Sequence, residues 1–146
     1  MITITSGDMF AADVEALVNP VNCVGTMGKG LALKFKNQFP AAFHAYGHAC
    51  ADALVKPGSI FTFVERGKII FHFPTKIHWR DRSRVDHIKS GLGALRREIA
   101  ARGVRSVAVP ALGCGLGGLA WDDVAPEIKR ALGDLAEVNV FVYPPQ

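Results

Sequence analysis

Two glycine-rich loops constrain this chain more than any other feature. Gly25-Thr26-Met27-Gly28-Lys29-Gly30 and Gly113-Cys114-Gly115-Leu116-Gly117-Gly118 each follow a short apolar run and precede a stretch of helical character. A loop of this kind turns a strand directly into a helix. Glycine lets main-chain N–H groups converge and lets a ligand come close, while the helix start adds positive potential. One such loop suits a phosphate. Two facing each other suit a ligand that carries a diphosphate.

The rest of the chain repeats the same alternation. Ile2-Thr3-Ile4-Thr5 has the period of a half-buried strand, ended by Gly7-Asp8, and Ala16-Leu17-Val18 is a second run, closed by Asn19-Pro20. A helix carrying Leu31, Leu33, Phe35 and Phe39 follows the first loop. Pro40 then opens another helix, running to about Leu54. Ile60 to Val64 and Ile69 to Phe73 read as strands joined by a turn at Arg66-Gly67. Val85, Ile88, Leu92, Leu95 and Ile99 fall at steps of 3, 4, 3 and 4, which is one apolar helical stripe, with Ser83 as its expected N-cap and Gly103 as its stop. Ser106 to Val109 is a buried strand. A last helix starts near Trp121 with Asp122 and Asp123 in its first turn, and tolerates Pro126 on the expectation that early helical N–H groups lack partners. Asn139 to Tyr143 closes the chain as a strand. The expected class is α/β, a central mixed sheet sandwiched between helices.

One domain over residues 1–146 is expected, and a chain of 146 residues buries enough core to fold without disulfides or a structural metal. Its end at Pro144-Pro145-Gln146 fits either a natural terminus or a boundary before a further domain. No export leader and no apolar run near membrane-spanning length is visible. Cys23, Cys50 and Cys114 are odd in number and widely spaced, so a reducing, cytoplasmic setting is expected. The net charge of +4 points weakly to polyanionic partners.

Competing motifs fail on spacing. The second loop satisfies G-x-G-x-x-G, but Asp134 ends a helix instead of a following strand, so the dinucleotide fingerprint is incomplete. Gly30 stands where a Walker loop needs Ser or Thr. His44 and His48 lack the glutamate of a zinc-protease helix and read as a solvated face, so no metal is expected. Cys114 has no His-plus-acid set near it in sequence and reads as a packed small residue.

Four segments in order, Gly7-Asp8-Met9, Ala16 to Asn22, Gly25 to Gly30 and Val109 to Gly115, resemble a macrodomain across nearly the whole chain. Met27 to Lys36 and Phe73-Pro74-Thr75-Lys76-Ile77-His78-Trp79-Arg80 are similar to DarG-type antitoxin macrodomains, DNA ADP-ribosyl glycohydrolases related to the human terminal ADP-ribose glycohydrolase. The resemblance implies roles. Asp8 would accept from the adenine amino group and Met9 would donate through its main chain. Asn22 would fix the distal ribose, which Gly25, Met27, Gly28, Lys29 and Gly30 would wrap together with one phosphate. Leu112, Gly113, Cys114, Gly115, Leu116 and Gly117 would bind the diphosphate. Thr75 would contact the substrate, Lys76 would lie beside the anomeric carbon of the distal ribose as the catalytic lysine, and Tyr143 would cover the adenine. Gly117 stands where the human-type enzyme carries an aspartate, which favours the DarG branch over acyl-linked protein substrates.

Lys76 follows an apolar strand, where α/β proteins place functional groups. Its amine suits a nucleophile if desolvated, and a fixed charge or proton donor if a diphosphate lies near. His78, Trp79, Arg80 and Arg82 lie in a basic stretch that also holds Arg84, His87 and Lys89. An aromatic ring among cations suits single-stranded nucleic acid, and a Trp79 packed into the core is the alternative. The resemblance implies removal of ADP-ribose from thymine in single-stranded DNA by a monomeric antitoxin to a DarT-like toxin, without a cofactor. A non-catalytic ADP-ribose reader and a hydrolase of acyl-linked ADP-ribose are the other two readings.

Overall fold

The computed structural model describes all 146 residues. Its six strands are β1 (Ile2–Ile4), β2 (Ala16–Val21), β3 (Phe61–Glu65), β4 (Lys68–Pro74), β5 (Ser106–Val109) and β6 (Asn139–Val142). They form one sheet in the order β1-β6-β5-β2-β4-β3. Every neighbouring pair is parallel except β3 and β4, an antiparallel hairpin whose turn residues Arg66 and Gly67 have φ of 50° and 77°. The helices are α1 (Gly30–Gln38), α2 (Pro40–Ala51), α3 (Val85–Ala101) and α4 (Trp121–Leu132).

Side chains alternate across the sheet with the strand period of two, and both faces are covered. Ala16, Val18, Phe71, Phe73, Val107 and Val109 pack with Ile88, Leu92, Leu95 and Ile99 of α3 and Val124, Ile128 and Leu132 of α4. Leu17, Ile70 and Ala108 pack on the other face with Phe35, Phe39 and Ala42. The α3 stripe is therefore the one its sequence period announced, and Gly103, at φ 63°, ends that helix.

Four local expectations change. Asn19 and Pro20 do not close β2 but lie inside it. β5 pairs with β2 only at Ala16 and Leu17, so Pro20, which has no N–H to give, costs no ladder bond there. Ser83 is not the N-cap of α3; Arg84 holds that position without a side-chain bond, and Ser83 turns inward instead. Pro126 lies past the first turn of α4, where it does remove an intrahelical bond. Ile4 is 52% exposed, because β1 is an edge strand with only Ile2 against the core.

Candidate functional site

Five parallel strands end on the same edge of the sheet, where open α/β sheets bind ligands. Across β1-β6-β5-β2-β4, the segments that follow are Asp8-Met9, Tyr143, Leu112 to Gly117, Asn22 with Gly25 to Gly30, and Thr75-Lys76. Neighbouring strands are about 4.8 Å apart, so this row spans about 19 Å. Residues separated by more than a hundred positions in sequence thus stand in one line.

At the β1 end, Asp8 is exposed and caps a single 3-10 turn at Met9–Ala11, its Oδ1 accepting from the Phe10 N–H at 2.9 Å. Its second oxygen is left for a ligand. The Met9 side chain is buried, which leaves only its main chain for recognition. Tyr143 continues β6, bonded through its N–H to Val109 O at 2.9 Å, and its half-buried ring packs in the same cluster as Phe10.

The two loops form the middle of the row. In the second, Cys114, Gly118 and Leu119 donate within the loop, while the N–H groups of Leu112, Gly113, Gly115, Leu116 and Gly117 have no acceptor in the chain. In the first, Met27, Gly28, Lys29 and Gly30 are likewise free, and α1 starts without a side-chain cap. Such free donors at a helix start are an anion site. The loops approach each other: the exposed Leu116 places a methyl carbon 3.7 Å from where a Cβ on Gly30 would lie. Gly113 must be glycine, since φ is 73° and a Cβ would come within 2.7 Å of Leu119. A Cβ on Gly117 would overlap the Ser83 hydroxyl, so no acid fits there while Ser83 stays in place. The Cys114 thiol lies near Leu112 O at 3.6 Å, and burial, helped by the Asp123 charge, raises its pKa. It is packed, not poised as a thiolate.

At the β4 end, the pairing with β2 continues past both strands. Thr75 donates to Val21 O at 2.9 Å and Cys23 to Ile77 O at 2.8 Å, which brings Asn22 and Lys76 onto adjacent segments. Thr75 is buried and Lys76 is half-buried. Lys76 makes no ion pair, so its charge is available. Asn22 is buried, with Oδ1 accepting from the Val24 N–H at 3.0 Å and the Tyr46 hydroxyl at 2.7 Å, and Nδ2 donating to Thr26 O at 2.9 Å.

The basic stretch separates into two parts. Trp79 is 56% exposed, which removes the core-packing alternative. Arg80 lies over its ring at 5.7 Å and bonds the His78 imidazole, and the Arg82 guanidinium packs against Gly118 of the second loop. Arg84 and Lys89 are instead held by Asp86 and Glu127. His44 and His48 are exposed on α2, as a solvated face requires.

Sequence reasoning missed Tyr46. Ala42, Tyr46 and Ala49 lie at helical spacing and are the buried face of α2. The available signal was the phenol itself, because a buried tyrosine hydroxyl needs a partner.

A parallel-edge row with two donor loops defines the class: the chain belongs to the Macro domain family, which it matches over residues 18–128. Within that class it is similar to the DNA ADP-ribosyl glycohydrolase of Mycobacterium tuberculosis, 48% identical over 150 residues that cover 99% of this chain and 42% of that protein. The solved macrodomain of Mycobacterium tuberculosis DarG superposes with a TM-score of 0.97 at 47% identity, covering 100% of this chain and 99% of that one. Thermosipho africanus DarTG in complex with ADP-ribose superposes with a TM-score of 0.93 at 36% identity, covering 99% and 41%. The curated protein of that organism is a DNA ADP-ribosyl transferase–DNA ADP-ribosyl glycohydrolase fusion, 35% identical over 99% of this chain and 42% of its own length. The chain spans about two fifths of the length of these curated relatives. The resemblance to DarG-type macrodomains read from the sequence is borne out. No helix is long and apolar enough to cross a membrane.

Proposed function

We propose that this chain removes ADP-ribose from thymine bases of single-stranded DNA and so reverses the mark of a DarT-like transferase. The observation that carries the proposal is the order of groups along the row. A carboxylate and an aromatic ring at Asp8 and Tyr143, a run of free N–H donors in both loops, and an amide and a lysine at Asn22 and Lys76 follow the order of adenosine, diphosphate and distal ribose. The fusion of a similar protein to a DNA ADP-ribosyl transferase supports the choice of DNA and of the opposing partner. Exposed Trp79, with Arg80 over its ring and Arg82 beside the second loop, neither in an ion pair, supplies a stacking face and cations for the strand.

In this reading the bond between the anomeric carbon of the distal ribose and the base breaks. The base leaves with the bonding electrons and takes a proton, and a water oxygen closes on the anomeric carbon, losing its own proton to solvent. Lys76 gives the proton to the departing base and offsets the charge that develops on it. Its lack of an acidic partner favours this role. Asn22 holds a ribose hydroxyl through Nδ2.

The test is a single-stranded oligonucleotide carrying ADP-ribose on thymine. Wild type releases ADP-ribose, and Lys76→Ala lowers the rate at least about 100-fold, the usual scale for a positioned proton donor. Release by Lys76→Ala at the normal rate refutes the assignment. Tight ADP-ribose binding without release from DNA moves the function to a reader, and release from ester-linked substrates alone moves it to acyl hydrolysis. A lysine adduct trapped by borohydride would replace the proton donor with a nucleophile.

A further inference from the structure

The Tyr46 hydroxyl is a buried polar group that packing alone does not require. Tyr46 is 0% exposed, and its ring stacks on His72 at 5.5 Å with planes 9° apart. His72 is itself held, with Nδ1 at 2.9 Å from Phe61 O. A phenylalanine would fill this slot without a polar atom to satisfy, so the hydroxyl must be accounted for by what it bonds. It lies 2.7 Å from Asn22 Oδ1 and 2.9 Å from Asn22 O. Both oxygen acceptors belong to Asn22, and the Cys50 thiol and the Gly25 main chain border the same hydroxyl.

The amide is thereby oriented without ambiguity. Oδ1 faces three donors, the Val24 N–H at 3.0 Å, the Thr26 N–H at 3.4 Å and the Tyr46 hydroxyl, while Nδ2 faces Thr26 O. A flipped amide would set an NH2 group against two main-chain N–H groups. With its oxygen occupied, Asn22 has one Nδ2 hydrogen left. It meets a ligand as a donor only.

We propose that Tyr46 is a positioning residue that aims the free Asn22 N–H at the distal ribose hydroxyl and acts on the reaction only through that amide. This rests on the proposed function in one respect, that Asn22 holds the distal ribose. Tyr46 touches no substrate, since it lies wholly beneath the first loop.

A double-mutant cycle tests this with Tyr46→Phe, Asn22→Ala and the pair, read as kcat and KM for release of ADP-ribose from single-stranded DNA. Tyr46→Phe lowers kcat about tenfold, the scale of one oriented hydrogen bond, with KM nearly unchanged. In the Asn22→Ala background the same substitution changes nothing further. Wild-type kcat in Tyr46→Phe, or an equal loss in both backgrounds, overturns the proposal. If wild type releases no ADP-ribose, the functional reading fails, and the same cycle run on the Kd for ADP-ribose decides the inference by the same criterion. If Tyr46→Phe folds poorly, the wild-type side-chain amide of Asn22 decides it by NMR. One side-chain amide proton protected from solvent exchange by its bond to Thr26 O, with the other shifting on adding ADP-ribose, is expected; both protons exchanging as fast as an exposed amide overturn the clamp.

Discussion

At the scale of residues, the second loop is shaped by one close approach. The Ser83 N–H donates to Gly117 O at 3.0 Å, and the buried Ser83 hydroxyl, without a partner of its own, lies where a side chain on residue 117 would begin. Glycine at 117 is therefore a packing requirement of the loop. Gly117→Asp is expected to push the loop off Ser83 and cost about 1–3 kcal/mol, seen as a loss of ADP-ribose affinity of roughly tenfold or more by calorimetry. Ser83→Gly in the same chain should restore only part of it, because a Cβ at 117 would still lie 2.6 Å from Gly113 O. Undiminished binding by Gly117→Asp alone would show that the loop yields freely.

At the scale of elements, α3 seats the end of β4. A Cβ on Gly91 would overlap the ring of Phe73, which is 0% exposed and lies just before Thr75 and Lys76. An exposed helical glycine normally gains up to about 1 kcal/mol on change to alanine. Gly91→Ala should lose instead, by about 1–3 kcal/mol, because the rigid ring has no room to give. Gly93 is the internal control. Its Cβ would meet only the flexible Arg97 guanidinium, at 3.6 Å, so Gly93→Ala should raise Tm while Gly91→Ala lowers it. Thermal melts of the two variants, moving the same way, would contradict this account of the α3–β4 contact.

At the scale of the molecule, the buried His72 makes stability depend on pH. Burial lowers its pKa from 6.5 to about 4, only partly opposed by the bond to Phe61 O. Above about pH 6.5 the ring is neutral folded and unfolded, and it contributes no slope. As pH falls from there toward about 4, the unfolded chain takes the proton and the folded chain resists it, so stability declines. Below the folded value the loss levels off, at about 3 kcal/mol in total, a sizeable share of an ordinary folding free energy. Tm should therefore fall between pH 7 and pH 4.5, and His72→Gln should flatten that fall. The ion-paired Asp86, Glu127 and Asp134, whose carboxyls are held below their ordinary values by arginine partners, lose their contribution at still lower pH. An unchanged slope in His72→Gln would assign the effect elsewhere.

The sequence by itself determined what local backbone and face preferences can encode. The step pattern from Val85 to Ile99 marked a helix and its buried side. The runs at Ala16, Ile69 and Ser106 marked strands, and the two glycine loops marked where strands hand over to helices. It misjudged Asn19-Pro20, Ser83 and Pro126, because the fate of each depends on a partner far along the chain: where β5 diverges from β2, where the second loop falls, and where α4 begins. Only the tertiary structure decided the strand order that lines Asp8, Tyr143, the loops, Asn22 and Lys76 into one row, and the contacts that join Tyr46 to Asn22 and Ser83 to Gly117. Those follow from burying both faces of one sheet at once, a long-range packing condition that no local window of sequence contains.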